Sequence, residues 1–80
     1  MKLTYDPRYN IAYIRFREKS SEVDTVHISD EINIDIAPDG SICGIELLNA
    51  NEQLRRGDLG NLLVVNESTG DQTEVPLNAA

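Results

Sequence analysis

The residues that could support acid–base chemistry or bind a metal ion cluster in the middle of the chain. Asp35 and Glu46 lie on the polar side of two alternating patterns, with Asn33 beside Asp35 and His27 on a third pattern. Carboxylates can act as a general acid and base or bind a cation. Glycosidase-type chemistry needs two carboxylates across a substrate-sized cleft, for which a small sheet with short loops leaves little room. We expect a solvated or helix-covered polar face, which is a candidate binding site without an assigned catalytic residue.

Two other groups of residues could support chemistry, but each has a simpler structural interpretation. His27 and Cys43 could form a base–nucleophile pair, but alternation places Cys43 on the apolar face and His27 on the opposite one. The segment from Asp35 to Glu46 resembles an EF-hand calcium loop in its Asp, Gly and Glu positions. Its third position is Ala37, and strand patterns flank it instead of helices. We therefore predict a β-hairpin here, with no metal ion and no cofactor.

The elements that position these residues follow a period of two, which is typical of half-buried β-strands. Turns at Asp6–Asn10 and at Ala37–Ser41 each place a proline at the second turn position, and Asn10 and Gly40 can adopt the left-handed conformation. A four-residue loop in the second hairpin pairs residues whose numbers sum to 79, which opposes Ile34 with Ile45. The same loop in the first hairpin gives a sum of 17. Both registers collect apolar side chains on one face.

The remaining elements are a third strand, one helix and a C-terminal hairpin. Residues 22–28 form a strand pattern with Val26 and Ile28 directed inward. Residues 50–56 suit a short helix, capped by Asn49 with Glu52 at the third position. Residues 62–66 and 73–77 flank a polar turn, and Pro76 marks an edge strand. We predict an α+β fold that is mostly β: an antiparallel β-meander of five or more strands, one short helix and a C-terminal hairpin, in one domain over residues 1–80.

Composition and charge limit the functional classes. The chain has 80 residues, a formal net charge of −7 and one cysteine, which excludes an internal disulfide and favours a reducing, cytoplasmic setting. No apolar run is long enough to span a membrane. Residues 21–54 carry eight acidic residues and no lysine or arginine. Such a charge disfavours direct binding of nucleic acid.

Several segments resemble one known family. They are Tyr5-Asp6, residues 10–14, Asp39-Gly40, and above all Gly44-Ile45-Glu46-Leu47-Leu48-Asn49-Ala50. Over residues 1–54 the chain is similar to the YuzE-like family of small prokaryotic proteins, a domain of unknown function. The resemblance implies a compact β-rich domain with a short helix and brings no catalytic residues with it.

Two functional hypotheses follow. In the first, the chain is a non-catalytic protein-interaction or regulatory module whose acidic middle binds a basic protein partner, with an antitoxin-like role as one form. In the second, it is a small enzyme or metal-binding protein that uses Asp35, Glu46 and His27. Because a small domain with open sheet edges can pair across an edge or face to face, we also expect a homodimer.

Overall fold

The computed structural model describes residues 1–19, 21–55 and 60–77. They form a five-stranded antiparallel sheet, a short helix and a separate two-stranded hairpin, which confirms the predicted fold class. Arg56, at the end of the predicted helix, lies outside the described residues. The elements are β1 (Lys2–Asp6), β2 (Ile11–Arg15), β3 (Asp24–Ser29), β4 (Ile32–Ile36), β5 (Ile42–Leu48), α1 (Ala50–Arg55), β6 (Asn61–Val65) and β7 (Gln72–Pro76).

The order of the strands in the sheet is β1-β2-β5-β4-β3, so it is not a purely sequential meander. β5 lies between β2 and β4, and β3 forms the far edge. The physical reason is visible in the side chains. β5 carries Cys43 and Leu47 on its apolar side and Gly44 on the other, and all three are buried. All six residues of β3 are exposed, which suits an edge.

Both hairpin registers match the sequence predictions. Leu3 pairs with Ile14 in the first hairpin, and Ile34 pairs with Ile45 in the second. One irregularity follows Asp35, where the ladder shifts and Ile36 pairs with Ile42 instead of the expected Cys43. The turn residues behave as predicted, since Asn10 and Gly40 have φ values of 58° and 88°.

The first turn of α1 is capped from a distant part of the chain. Asn10, in the β1–β2 turn, accepts a hydrogen bond from the Ala50 N–H at its backbone oxygen (3.2 Å) and one from the Asn51 N–H at its Oδ1 (2.8 Å). The Tyr5 hydroxyl donates to the Asn51 side chain at 2.5 Å. The residue before the helix, Asn49, has a φ of 55°, outside the extended region of an ordinary N-cap. The cap predicted at Asn49 is thus supplied largely by Asn10.

The apolar side of the sheet is only partly covered. Ala12, Leu47 and Ala50 form the buried cluster, and Leu54 of α1 packs against it. Val26 and Ile28, which alternation directs inward, are exposed instead because the described part of α1 does not cover the β3 end of the sheet. Among the described residues no helix has the length and apolar character that a membrane span needs.

The predicted C-terminal hairpin is present as its own two-stranded sheet. β6 and β7 pair antiparallel from Asn61–Pro76 to Val65–Gln72. Its tight turn includes Gly70, which has a φ of 79°. The hairpin adds no strand to the main sheet, so it stands beside that sheet rather than extending it.

Candidate functional site

The polar side of the five-stranded sheet is organised in two rows of cross-strand neighbours. Alternation along each strand and the observed registers place the members of each row side by side. One row runs Tyr13, Glu46, Asn33, His27, and the next runs Arg15, Gly44, Asp35, Thr25. The residues predicted from the sequence, namely Asn33, Asp35, Glu46 and His27, therefore share one face.

Three of the predicted residues form a chain of hydrogen bonds along the first row. Asn33 donates from Nδ2 to Glu46 Oε1 at 2.9 Å, and its Oδ1 lies 3.0 Å from His27 Nδ1. Asn33 thereby fixes the orientation of both neighbours. His27 remains exposed, with Nε2 4.0 Å from Asp30. This row is a surface network whose histidine end faces solvent.

Asp35, in the second row, is a buried carboxylate with a partner on every side. It is 5% exposed. The Thr25 hydroxyl donates to Oδ1 at 2.6 Å, the Tyr13 hydroxyl donates to Oδ2 at 2.7 Å, and Lys19 Nζ lies 3.0 Å from Oδ2. The ammonium of Lys19 also lies 4.9 Å from the centre of the Tyr13 ring, a cation–π distance. Among the described residues no buried side-chain nitrogen or oxygen lacks a hydrogen-bond partner.

Gly44 makes this cluster possible. The Tyr13 ring crosses the backbone of Gly44 to reach Asp35 on the next strand. A Cβ at position 44 would clash with the hydroxyl oxygen and Cζ of Tyr13 and would lie only 2.6 Å from its Cε1. Only glycine therefore leaves room for the diagonal path of the tyrosine across β5.

The electrostatics of the cluster hold Asp35 in its ionised form. Burial by itself raises the pKa of Asp35, but the hydrogen bonds from Thr25, Tyr13 and Lys19 outweigh burial, so the pKa lies below the ordinary value of 3.8. Burial and then the bond to Asp35 raise the pKa of Tyr13 well above its usual range. At neutral pH a charged acceptor thus faces a protonated donor, which favours a stable contact over proton exchange.

The arrangement separates the residues of the other predicted constellations. Cys43 is fully buried on the apolar side of β5, while His27 is exposed on β3, with β4 between the two strands. Asp39, in the calcium-like segment, accepts hydrogen bonds from the backbone and the hydroxyl of Ser41 and so closes the β4–β5 turn. Within the described residues no group of three or more His, Cys, Asp or Glu side chains is placed to hold a metal ion.

Sequence reasoning found Asp35 but missed Tyr13, Thr25 and Lys19. Thr25 and Tyr13 become its neighbours only when β3 pairs with β4 and β2 pairs with β5. One signal was present: an aromatic residue on a polar face, next to a strand glycine, can lie across that glycine. Lys19 lies in the β2–β3 connection and gives no such signal.

The fold and this site define a small β-rich domain with a buried, fully partnered aspartate on one face of its sheet. A family model described as "Protein of unknown function (DUF2283)" matches residues 2–51. The chain belongs to this family, which is compatible with the YuzE-like resemblance. The match spans all five strands of the main sheet and leaves β6–β7 outside it. No curated protein and no solved structure matches the chain.

Proposed function

We propose that the protein is a non-catalytic interaction module that binds a basic, extended segment of a protein partner along the open edge of β3. The observation that carries this proposal is an edge strand with acidic residues at both of its ends. Among the described residues β3 pairs only with β4, so its outer edge is open, and all six of its residues are exposed. Those acidic residues are Glu22, Asp24, Asp30 and Glu31, and residues 21–54 contain no lysine or arginine.

The chemistry of an edge strand explains what would be recognised. An open edge presents unpaired N–H and C=O groups, and an incoming strand pairs with them in β-augmentation. Natural edges are often blocked by lysine or proline, and β3 contains neither. It does contain a bulge between His27 and Ser29, which leaves Asp24–His27 as the regular part of the edge. Main-chain pairing would supply affinity there, and the acidic ends would select a basic segment.

The polar cluster supports a structural role for Asp35 in this module. A metal ion or substrate at Asp35 would have to displace contacts from Tyr13, Thr25 and Lys19. The enzyme or metal-site alternative that uses Asp35 and Glu46 is therefore less favoured. The hydrogen bonds of Asp35 to Thr25 and Tyr13 connect β4 to β3 and to β2, and so stabilise the position of β3 at the edge of the sheet. An antitoxin-like role, with a small basic toxin as partner, is one form of the proposal. The free, buried Cys43 agrees with action in a reducing cytoplasm.

Affinity capture with matched charge variants tests this function. The tagged chain is used to capture proteins from native lysate at low and at high salt, with mass spectrometry as the readout. The variant Asp24→Lys with Asp30→Lys reverses charge at the edge. The control Glu67→Lys with Asp71→Lys makes the same change in net charge at the exposed β6–β7 turn.

We expect a basic protein that the wild type and the control retain and that the edge variant loses. Its capture should weaken as salt rises, because screening shortens the range of exposed charges to about 8–10 Å at physiological ionic strength. Equal capture by the edge variant and the control would contradict a role for β3. A salt-insensitive complex would contradict the electrostatic part of the mechanism.

A further inference from the structure

The described chain leaves much of its large apolar surface in contact with water. Its buried apolar residues are Ala12, Cys43, Leu47 and Ala50, so Leu47 is the one large aliphatic side chain among them. Apart from Met1, Tyr9 and Ile42, the exposed large apolar side chains of the described residues fall in two groups. One lies on and beside the main sheet and comprises Phe16, Val26 and Ile28; the other lies on the hairpin and comprises Leu62, Leu63, Val64, Val65 and Val75. We call the second group the apolar ribbon.

The apolar ribbon cannot owe its order to its own two strands. An isolated two-stranded hairpin is at best marginally stable in water. Here every residue from 62 to 76 is exposed, and Val64 is 54% exposed. At the base of the ribbon Leu62 lines an apolar groove of about 390 Å³ with Leu54 and Phe16. A large part of the ribbon therefore has no covering layer within the described chain.

The solvent-accessible area of the chain is larger than that expected for a folded monomer of its mass. A folded monomer of 8.9 kDa is expected to expose about 4,800 Å², whereas this chain exposes 5852 Å². The excess is about 1,000 Å², and a standard stable interface buries about 800 Å² on each partner. The radius of gyration agrees, since it is 14.1 Å against about 11.6 Å for a globular domain of 80 residues.

We propose that a second copy of this chain covers the apolar ribbon together with the exposed apolar side chains on and beside the main sheet. The excess area matches one side of a stable dimer. A two-fold axis buries the same surface on each copy. One interface that includes both groups of exposed apolar residues would therefore cover both groups in both copies. The charges of the hairpin permit this contact despite the net charge of −7, because β6 contains no charged residue and Glu67 and Asp71 lie in the turn. The one charged residue on β7 is Glu74, which lies opposite Leu63 and accepts a hydrogen bond from Asn61 Nδ2 at 2.6 Å. On β3 the second copy would cover the apolar face at Val26 and Ile28, whereas the basic partner of the proposed function would pair with the backbone of the outer edge.

Sedimentation equilibrium of matched variants tests the dimer. Leu63→Lys with Val64→Lys places charges on both faces of β6, at positions that are already exposed. The control Tyr9→Lys replaces an apolar side chain that is 75% exposed in the β1–β2 turn. We expect the wild type and the control to have twice the monomer mass at micromolar concentration. The ribbon variant should dissociate at least about tenfold more readily, as loss of apolar anchors at an interface does.

Hydrogen exchange of the wild-type chain gives a test that needs no variant. If a second copy orders the ribbon, the amides of β6 and β7 lose protection on dilution, while those of the central strand β5 keep theirs. A wild type that stays monomeric at all concentrations would overturn the proposal. So would hairpin protection that does not change with concentration, or that arises only when a different protein is added.

Discussion

Replacement of Gly44 by alanine tests the packing of the polar cluster most directly. At an unobstructed strand position this change would stabilise a protein by about 0.5–1 kcal/mol, because glycine loses more backbone entropy on folding. At Gly44 the new Cβ would collide with the Tyr13 ring, whose Cε1 would be 2.6 Å away. The tyrosine must then move, and its hydroxyl leaves Asp35.

The expected magnitude follows from the contact that is lost. A hydrogen bond to a charged group contributes about 1.5–3 kcal/mol, and Asp35 at 5% exposure has little water to replace it. After the entropic gain is subtracted and residual strain is added, we expect Gly44→Ala to lower the free energy of unfolding by about 2 kcal/mol. Urea unfolding at neutral pH, extrapolated linearly, measures this change.

A double-mutant cycle separates the steric cause from any other. In the background of Tyr13→Ala the obstruction is gone, so Gly44→Ala should become neutral or stabilising, with a coupling energy of about 2–3 kcal/mol. Tyr13→Phe keeps the ring and removes only the hydroxyl, which isolates the hydrogen bond to Asp35. A Gly44→Ala chain at least as stable as the wild type, or equal effects in both backgrounds, would refute the reasoning.

Three other expectations concern stability and reactivity. Because the folded-state pKa of Asp35 is lowered, its contribution to stability is complete above the ordinary value of 3.8 and is lost as pH falls through the lower folded-state pKa. Unfolding measured from neutral pH into this acid range should depend less on pH in Asp35→Asn than in the wild type, and equal slopes would contradict the assignment. Asn10→Gly keeps the left-handed turn but removes the side-chain hydrogen bond to α1, so it should lower the free energy of urea unfolding by about 1 kcal/mol, the net contribution of one hydrogen bond, and an unchanged midpoint would speak against the cap. The Cys43 thiol, fully buried, should react with a thiol reagent roughly a hundredfold or more slower in the folded than in the unfolded chain, and similar rates would show that the core is open.

Local patterns determined the hairpins of this protein. The turns at Pro7 and Pro38 and the alternation beside them fix the pairs Leu3–Ile14 and Ile34–Ile45, and the structure contains both. Turn chemistry and period-two alternation act between residues that are close in the sequence, so they can be read without knowing the rest of the fold. The same patterns placed Asn33, Asp35, Glu46 and His27 on one face.

The partners of Asp35 could not be read in this way. Thr25, Tyr13 and Lys19 reach it from β3, β2 and the β2–β3 connection, and their meeting depends on how the hairpins join. The helix cap from Asn10 is another long-range contact, since it is 41 residues from the amide it caps. Each depends on packing between segments whose pairing no local pattern specifies.

The sequence by itself thus determined the fold class, the two registers, the polar face and the concentration of acidic charge in residues 21–54. Only the tertiary structure decided that β5 enters between β2 and β4, which leaves β3, like β1, as an edge strand of the sheet that the described residues form. The physical reason is that strand order reflects burial summed over the whole sheet. At the centre of the sheet β5, with Cys43, Leu47 and a glycine, buries the most apolar surface. At the edge β3 leaves mainly polar side chains in contact with water, which costs the least free energy.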